Sequence, residues 1–382
     1  MTVPSSVGTS TDSTANFTPH QRKSFYANGR FWVFWSDGSN MVYATSTDGS
    51  SWTNKATVRA CAYGGYFSIW FDGTYLHYAY ANNSQISYRR GTPISDGSIT
   101  WSADEQTVST TYNSAVGPVV SVDSNGYVWI GYKDYDSGNN KHYPYVIKSG
   151  NNDGTWGTTP SGFPYKLSAT SSSSWRASPI PLTGGKMLAI YAYSYAPLKV
   201  MRWTGSGWGS ERTGTSNAYY GYYISAVAEG DDVHIVFLKS SGYDILYVKY
   251  TYSADSLGGE VTVQAGATST SVPVLSRDPS SSTLYVFYAT KTTGTPPNHT
   301  ANHIYYKTST DGGSSWSSPT DWIDETSEVL TNAERLTCYS SKFDSKIGLV
   351  HLSKTSSAYN VRFEYLTLVT PSAGGGVLAQ VM

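Results

Sequence analysis

The chain has 382 residues, among them 33 Tyr, 12 Trp and 36 Gly, while only 14% are charged and the net charge is −1. That balance excludes a protein-wide field for nucleic acid or an anionic membrane, and no apolar run is long enough to span a bilayer. Abundant aromatics with frequent Gly and Ser, and no sustained helical period, exclude a helical fold and predict an all-β protein.

In chain order, Met1-Thr2-Val3-Pro4-Ser5 lacks the basic and apolar regions of a signal peptide. Low charge with many Ser, Thr and Tyr predicts an outward-facing protein: extracellular, on a cell surface or on a virion, within a larger assembly. The only cysteines, Cys61 and Cys338, have no metal-ligand spacing around them. They read as two separate thiols, with one long-range disulfide as the alternative.

A hairpin with an aromatic second strand recurs from Arg30, Tyr75, Tyr127, Lys186, Asp232, Thr283 and Lys346, each copy preceded by a turn such as Asn28-Gly29, Asp72-Gly73 or Asn125-Gly126. Third and fourth strands follow, giving four strands in about 50 residues, the size of a propeller blade. Seven copies predict a single β-propeller of seven four-stranded antiparallel blades, with six as the alternative. The propeller spans 20–370. Residues 1–19 form an N-terminal segment that can supply the ring-closing strand, and 371–382 are a C-terminal tail or the last outer strand. Closure by the N-terminal segment is preferred, because it joins the two chain ends and protects the last sheet edge.

The turns between third and fourth strands carry the clearest motif. Ser46-Thr47-Asp48-Gly49-Ser50-Ser51-Trp52 returns as Ser309-Thr310-Asp311-Gly312-Gly313-Ser314-Ser315-Trp316, and more loosely as Ile94 to Trp101 with Asp96. Asp-Gly favours a tight turn, and the Trp that follows can fold beneath it as an apolar plug. Asn152 to Trp156 and Thr204 to Trp208 are eroded copies, and the copy around Asp255 has lost its Trp. The pattern resembles the Asp-box repeat of sialidase-like β-propellers. In a blade whose inner strand runs from top to bottom, these turns lie on the bottom face, so Asp48, Trp52, Asp96, Trp101, Asp311 and Trp316 are expected to be structural.

Ligand chemistry is therefore expected on the top face, at the channel mouth. Aligning the inner strands on their turns puts Arg22, Arg176 and Arg335 at comparable depth in blades one, four and seven, where guanidinium forks could converge on a carboxylate. Trp175 and Tyr222 are aromatic candidates beside them. The resemblance implies that Arg22, Arg176 and Arg335 hold a substrate carboxylate and that Asp37 is the general acid. However, the Phe/Tyr-Arg-Ile-Pro signature of sialidases is replaced by Gln21-Arg22-Lys23-Ser24. No cofactor and no metal site are expected. Asp134 and Asp136 could hold calcium by residue type, and His299 with His303 could form a metal pair, but neither spacing specifies a site. The scaffold motifs are intact beside degraded catalytic ones, which predicts a recognition propeller that binds glycans or a surface protein through its top face. A sialidase-like exo-hydrolase acting on an acidic sugar is the alternative, and a structural module of a surface assembly is the third reading.

Overall fold

The computed structural model of the protein describes residues 1–368 apart from 17–18, 54, 83, 110–112, 292, 295–298, 331–334 and 355–357. The C-terminal alternative for ring closure, Val377 to Val381, lies outside the described residues. Seven antiparallel sheets follow one another in chain order, so the prediction of seven blades holds and six is excluded. Blade one is typical: Ser24–Ala27, Arg30–Ser36, Asn40–Ser46 and Ala56–Ala60 pair in sequence from the axis outward. The second strands begin at or within one residue of the positions predicted, because the preceding turns are encoded locally. Asn28 and Gly29 both take positive φ, 53° and 74°, as a two-residue hairpin requires.

Both faces of the middle strands are buried, as in Arg30–Ser36, where every side chain after Arg30 is buried. Each blade uses one face against each neighbour, and the apolar clusters span pairs of blades. Phe25, Trp32, Phe34 and Met41 of blade one pack with Phe67, Ile69, Leu76 and Tyr78 of blade two. Among the described residues no blade has a core of its own, so the blades depend on one another as a single folding unit.

The seventh blade contains Leu336–Cys338, Lys346–Lys354 and Tyr359–Thr367, and its outer strand is the N-terminal Ser5–Ser10, antiparallel to Tyr359–Thr367. Cys61 and Cys338 are separate buried thiols.

The Asp-Gly turns show what the motif does locally. Asp48 Oδ1 accepts the N–H groups of Ser50 and Ser51 at 2.8 and 2.7 Å and the Ser46 hydroxyl at 2.8 Å. Asp311 is held in the same way by Ser315 and Ser309. Those donors keep the Asp311 carboxyl down at about 2. Each turn reaches back onto the preceding blade. Trp52 donates to Ser5 Oγ at 2.9 Å and meets Phe363 edge-on at 5.2 Å, both in blade seven. Trp316 meets Tyr247 of blade five at 5.7 Å, and the Tyr247 hydroxyl donates to Gly312 O. Even the copy without Trp keeps the connection, because Asp255 pairs with Arg202 and Arg212 of blade four.

Candidate functional site

An inner strand of a propeller has one edge facing the axis, where its carbonyls have no strand partner. In this protein the segment just above the inner strand of blade one supplies the donors. His20 Nδ1 lies 3.2 Å from Tyr222 O of blade five. Gln21 Nε2 donates to Gly65 O and Pro118 O of blades two and three. Arg22 donates to Cys338 O at 3.0 Å, Ala226 O at 3.1 Å and Leu275 O at 3.2 Å, carbonyls of blades seven, five and six. Lys23 Nζ donates to Gly64 O at 2.8 Å and to Phe67 O. Four consecutive polar side chains thus close the channel by tying all the other blades except the fourth to the first. A cavity of only about 30 Å³ is left on the axis between Arg22, His20 and Pro179.

This placement separates the three arginines. Arg22 is committed to carbonyls inside the ring, whereas Arg176 and Arg335 both act electrostatically on the same tyrosine, Tyr63, above the plug. Burial raises the Tyr63 phenol, and the two guanidinium groups oppose that rise. Arg176 begins the inner strand Arg176–Pro181 of blade four, donates to Trp175 O at 2.6 Å and lies 5.2 Å over the ring of Tyr222. Its Nε is buried without a hydrogen-bond partner, and among the described residues no carboxylate forms an ion pair with it. Burial lowers its affinity for its proton, partly offset by Tyr222 and Tyr63. Gly117, at φ +64°, makes the room: a Cβ there would stand 3.0 Å from Arg176 Cδ and Nε.

Two further basic residues, missed in the sequence, complete the cluster. Lys133, near the upper end of Val128–Asp136, is pushed down to about 8 by burial and then by Arg176, against the pull of Asp134. His20 is held well below the ordinary histidine value by burial and by Arg176. Arg176 therefore has the like charge of Lys133, a His20 imidazole that burial keeps neutral, and the rings of Tyr222 and Tyr63 around it. Such a mouth is poised to receive an anion, because a bound carboxylate would relieve the repulsion that the fold imposes. Strand periodicity places Lys133 on its strand but cannot say that it faces Arg176 of the next blade.

The remaining candidates fall elsewhere. Trp175 is fully buried against Tyr193, 4.5 Å away, and bonds Thr170 O, so it offers no face to a ligand. Asp37 sits in the turn after Arg30–Ser36. Burial would raise its carboxyl, but Lys55 and the N–H groups of Asn40 and Ser39 outweigh this and hold it low. Asp134 accepts from Tyr135 N, and Asp136 from Gly138 N and Asn139 Nδ2. His303 faces Asp321 and Asp324, and His299 faces Tyr288. Among the described residues no group of three or more His, Cys, Asp or Glu side chains could hold a metal ion.

Larger hollows lie on the opposite face, including one of about 680 Å³ bordered by Asp278, Tyr285, Tyr306 and Lys342. Another of about 330 Å³ is bordered by Trp70, Arg277 and Phe343. Their charges are already paired, Lys342 with Asp278 and Arg277 with Glu229. Among the described residues no helix is long and apolar enough to cross a membrane.

No known family model matches the chain, and no curated protein matches it. Among solved structures, the chain is similar to the polysaccharide lyase Uly1, with 9% identity and a TM-score of 0.56 over 92% of this chain and 90% of that one. The intramolecular trans-sialidase from Ruminococcus gnavus aligns at 13% identity and a TM-score of 0.46, over 96% and 99% of the two chains. The Aleuria aurantia lectin aligns at 13% and 0.46, over 81% and 96%. The likeness to the lyase is one of fold alone, and the other two add nothing to it.

Proposed function

We propose that the protein is a recognition propeller, displayed on a cell or virion surface, that binds an acidic glycan at the top mouth of its channel. One observation carries this reading. Arg176 is sunk in the mouth over Tyr222 with no carboxylate paired to it among the described residues. It is flanked by the depressed Lys133 and by Tyr63, which also feels Arg335. A guanidinium fork suits a sugar carboxylate, and the tyrosine rings suit a sugar face.

The sialidase-like alternative is less well supported. Arg22 is already saturated by carbonyls. Asp37, the general acid implied by the resemblance, is held ionised, whereas an acid working near neutral pH needs the opposite shift.

The test is a glycan array of neutral and carboxylate-bearing glycans, run beside turnover of a fluorogenic sialoside. Binding of acidic glycans that Arg176→Gln abolishes, without turnover, is the expected result. Turnover that Arg176→Gln removes would establish the hydrolase instead, and neither signal would leave a structural module.

A further inference from the structure

The tyrosines do not stop at the mouth. From Arg176 the rings continue outward over the top of blades four and five as an unbroken series. Tyr222 stacks on Tyr220 at 5.1 Å and 5°, and Tyr220 meets Tyr219 at 4.4 Å. Tyr219 then meets both Tyr195, at 5.5 Å, and Tyr243, at 5.3 Å. Tyr219, Tyr220, Tyr222 and Tyr243 rest on the core from one side while remaining partly accessible. Tyr195 is 55% exposed. Tyr195, Tyr219 and Tyr220 form a closed triangle of ring contacts, with Tyr195 also 5.8 Å from Tyr220.

A comparison of equivalent loops shows that other blades make this turn without an aromatic ring. The residue just before the third strand takes positive φ in several blades. In blades three and six it is Asn140 (φ 60°) and Asn302 (φ 59°), and asparagine enters this region more readily than other side chains. In blade four that residue is instead Tyr195 (φ 61°), and in blade five Tyr243 (φ 54°) takes positive φ one position earlier, separated from the strand by Asp244. A bulky aromatic in the left-handed region is strained, and at Tyr195 the strain accompanies exposure rather than burial. Strain of this kind points to a surface use.

We propose that the tyrosine series is the extension of the mouth site, and that the ligand is a linear, carboxylate-bearing polysaccharide rather than a terminal sugar. One acidic unit sits at Arg176, and the following sugar rings lie along Tyr222, Tyr220 and Tyr219 towards Tyr195 and Tyr243. This rests on the reading of the mouth as an acidic-glycan site. Ring faces beside hydroxyl edges match the two chemistries of a pyranose, and continuity with the cationic mouth fixes where the chain starts.

The experiment titrates size-graded oligosaccharides, from disaccharide to dodecasaccharide, of galacturonic acid, sialic acid and hyaluronan by calorimetry. The proteins are the wild type, Arg176→Gln, and the double variant Tyr195→Asn/Tyr243→Asn. For at least one series the long members should bind about tenfold or more tighter than the disaccharide. The double variant should keep the disaccharide affinity and lose the gain with length, with a Tm equal to or above wild type because asparagine relieves the strain. A wild type whose affinity does not grow with length overturns the proposal and spares the mouth. A length gain that survives in the double variant also overturns it, and would leave the tyrosines to a protein partner. Disaccharide binding unaffected by Arg176→Gln, or no binding by any series, overturns the mouth reading and the proposal together.

Discussion

Arg22 and Arg176 stand at the tops of inner strands in blades one and four, and their neighbours give them opposite roles. Arg22 satisfies three carbonyls on the channel axis, so Arg22→Met should cost about 2–4 kcal/mol in chemical denaturation while leaving any intact mouth able to bind. Arg176 lacks a carboxylate partner, so Arg176→Met should change stability by about 1 kcal/mol or less yet remove anion binding measured by calorimetry. Lys133 adds a pH dependence. Its folded value of about 8 lies below that of a free lysine, so it loses its charge as pH rises through about 8. Affinity for an acidic glycan should therefore fall between about pH 7 and 9, and Lys133→Met should flatten that profile. None of this was legible from residue types, because Arg22, Arg176 and Arg335 align at similar depth in the repeat. The difference arises across the ring, in contacts between residues hundreds of positions apart.

At the scale of the element, the turn after each third strand works as a fastener to the blade before it. Trp316 plugs against Tyr247, and a Cβ at Gly313 would stand 2.1 Å from the same ring. Trp316→Ala should thus cost about 2–4 kcal/mol, whereas Asp311→Asn, which keeps one acceptor oxygen, should cost less. Both are measurable by denaturation. The motif was readable because a turn of this kind is specified within eight residues. What it latches onto was not, since the partner Tyr247 belongs to another blade. The fifth blade shows the freedom this allows: Asp255 makes the same connection with ion pairs to Arg202 and Arg212 in place of a Trp.

For the whole molecule, stability is a property of the closed ring. Removing Ser5–Ser10 would strip the outer strand from blade seven and the acceptor of Trp52 from blade one. Such a variant should show a large loss of stability, and a broadened transition by calorimetry as the ring ceases to unfold as one unit. Acid should weaken the ring in two stages. Burial holds His20, His77 and His234 below the ordinary histidine value. The unfolded chain therefore takes up protons first, and stability falls as pH drops below about 6.5. Burial pushes Glu229 and Asp278 up, but their hydrogen-bonded and cationic partners hold both near 2. Their contribution, present above the unfolded value of about 4, is lost as pH approaches 2. Unfolding midpoints across that range would show both steps.

The sequence by itself determined the repeat: turn chemistry, strand alternation and the Asp-Gly-to-Trp motif act over a few residues, so seven blades could be counted from the chain. It also determined that the inner-strand tops of blades one, four and seven carry arginine. Only the tertiary structure decided which arginine is spent on channel carbonyls and which has no carboxylate paired with it among the described residues. The free carbonyls of the channel, the like charge of Lys133 and the rings of Tyr63 and Tyr222 come from different blades, and they meet only when the ring closes.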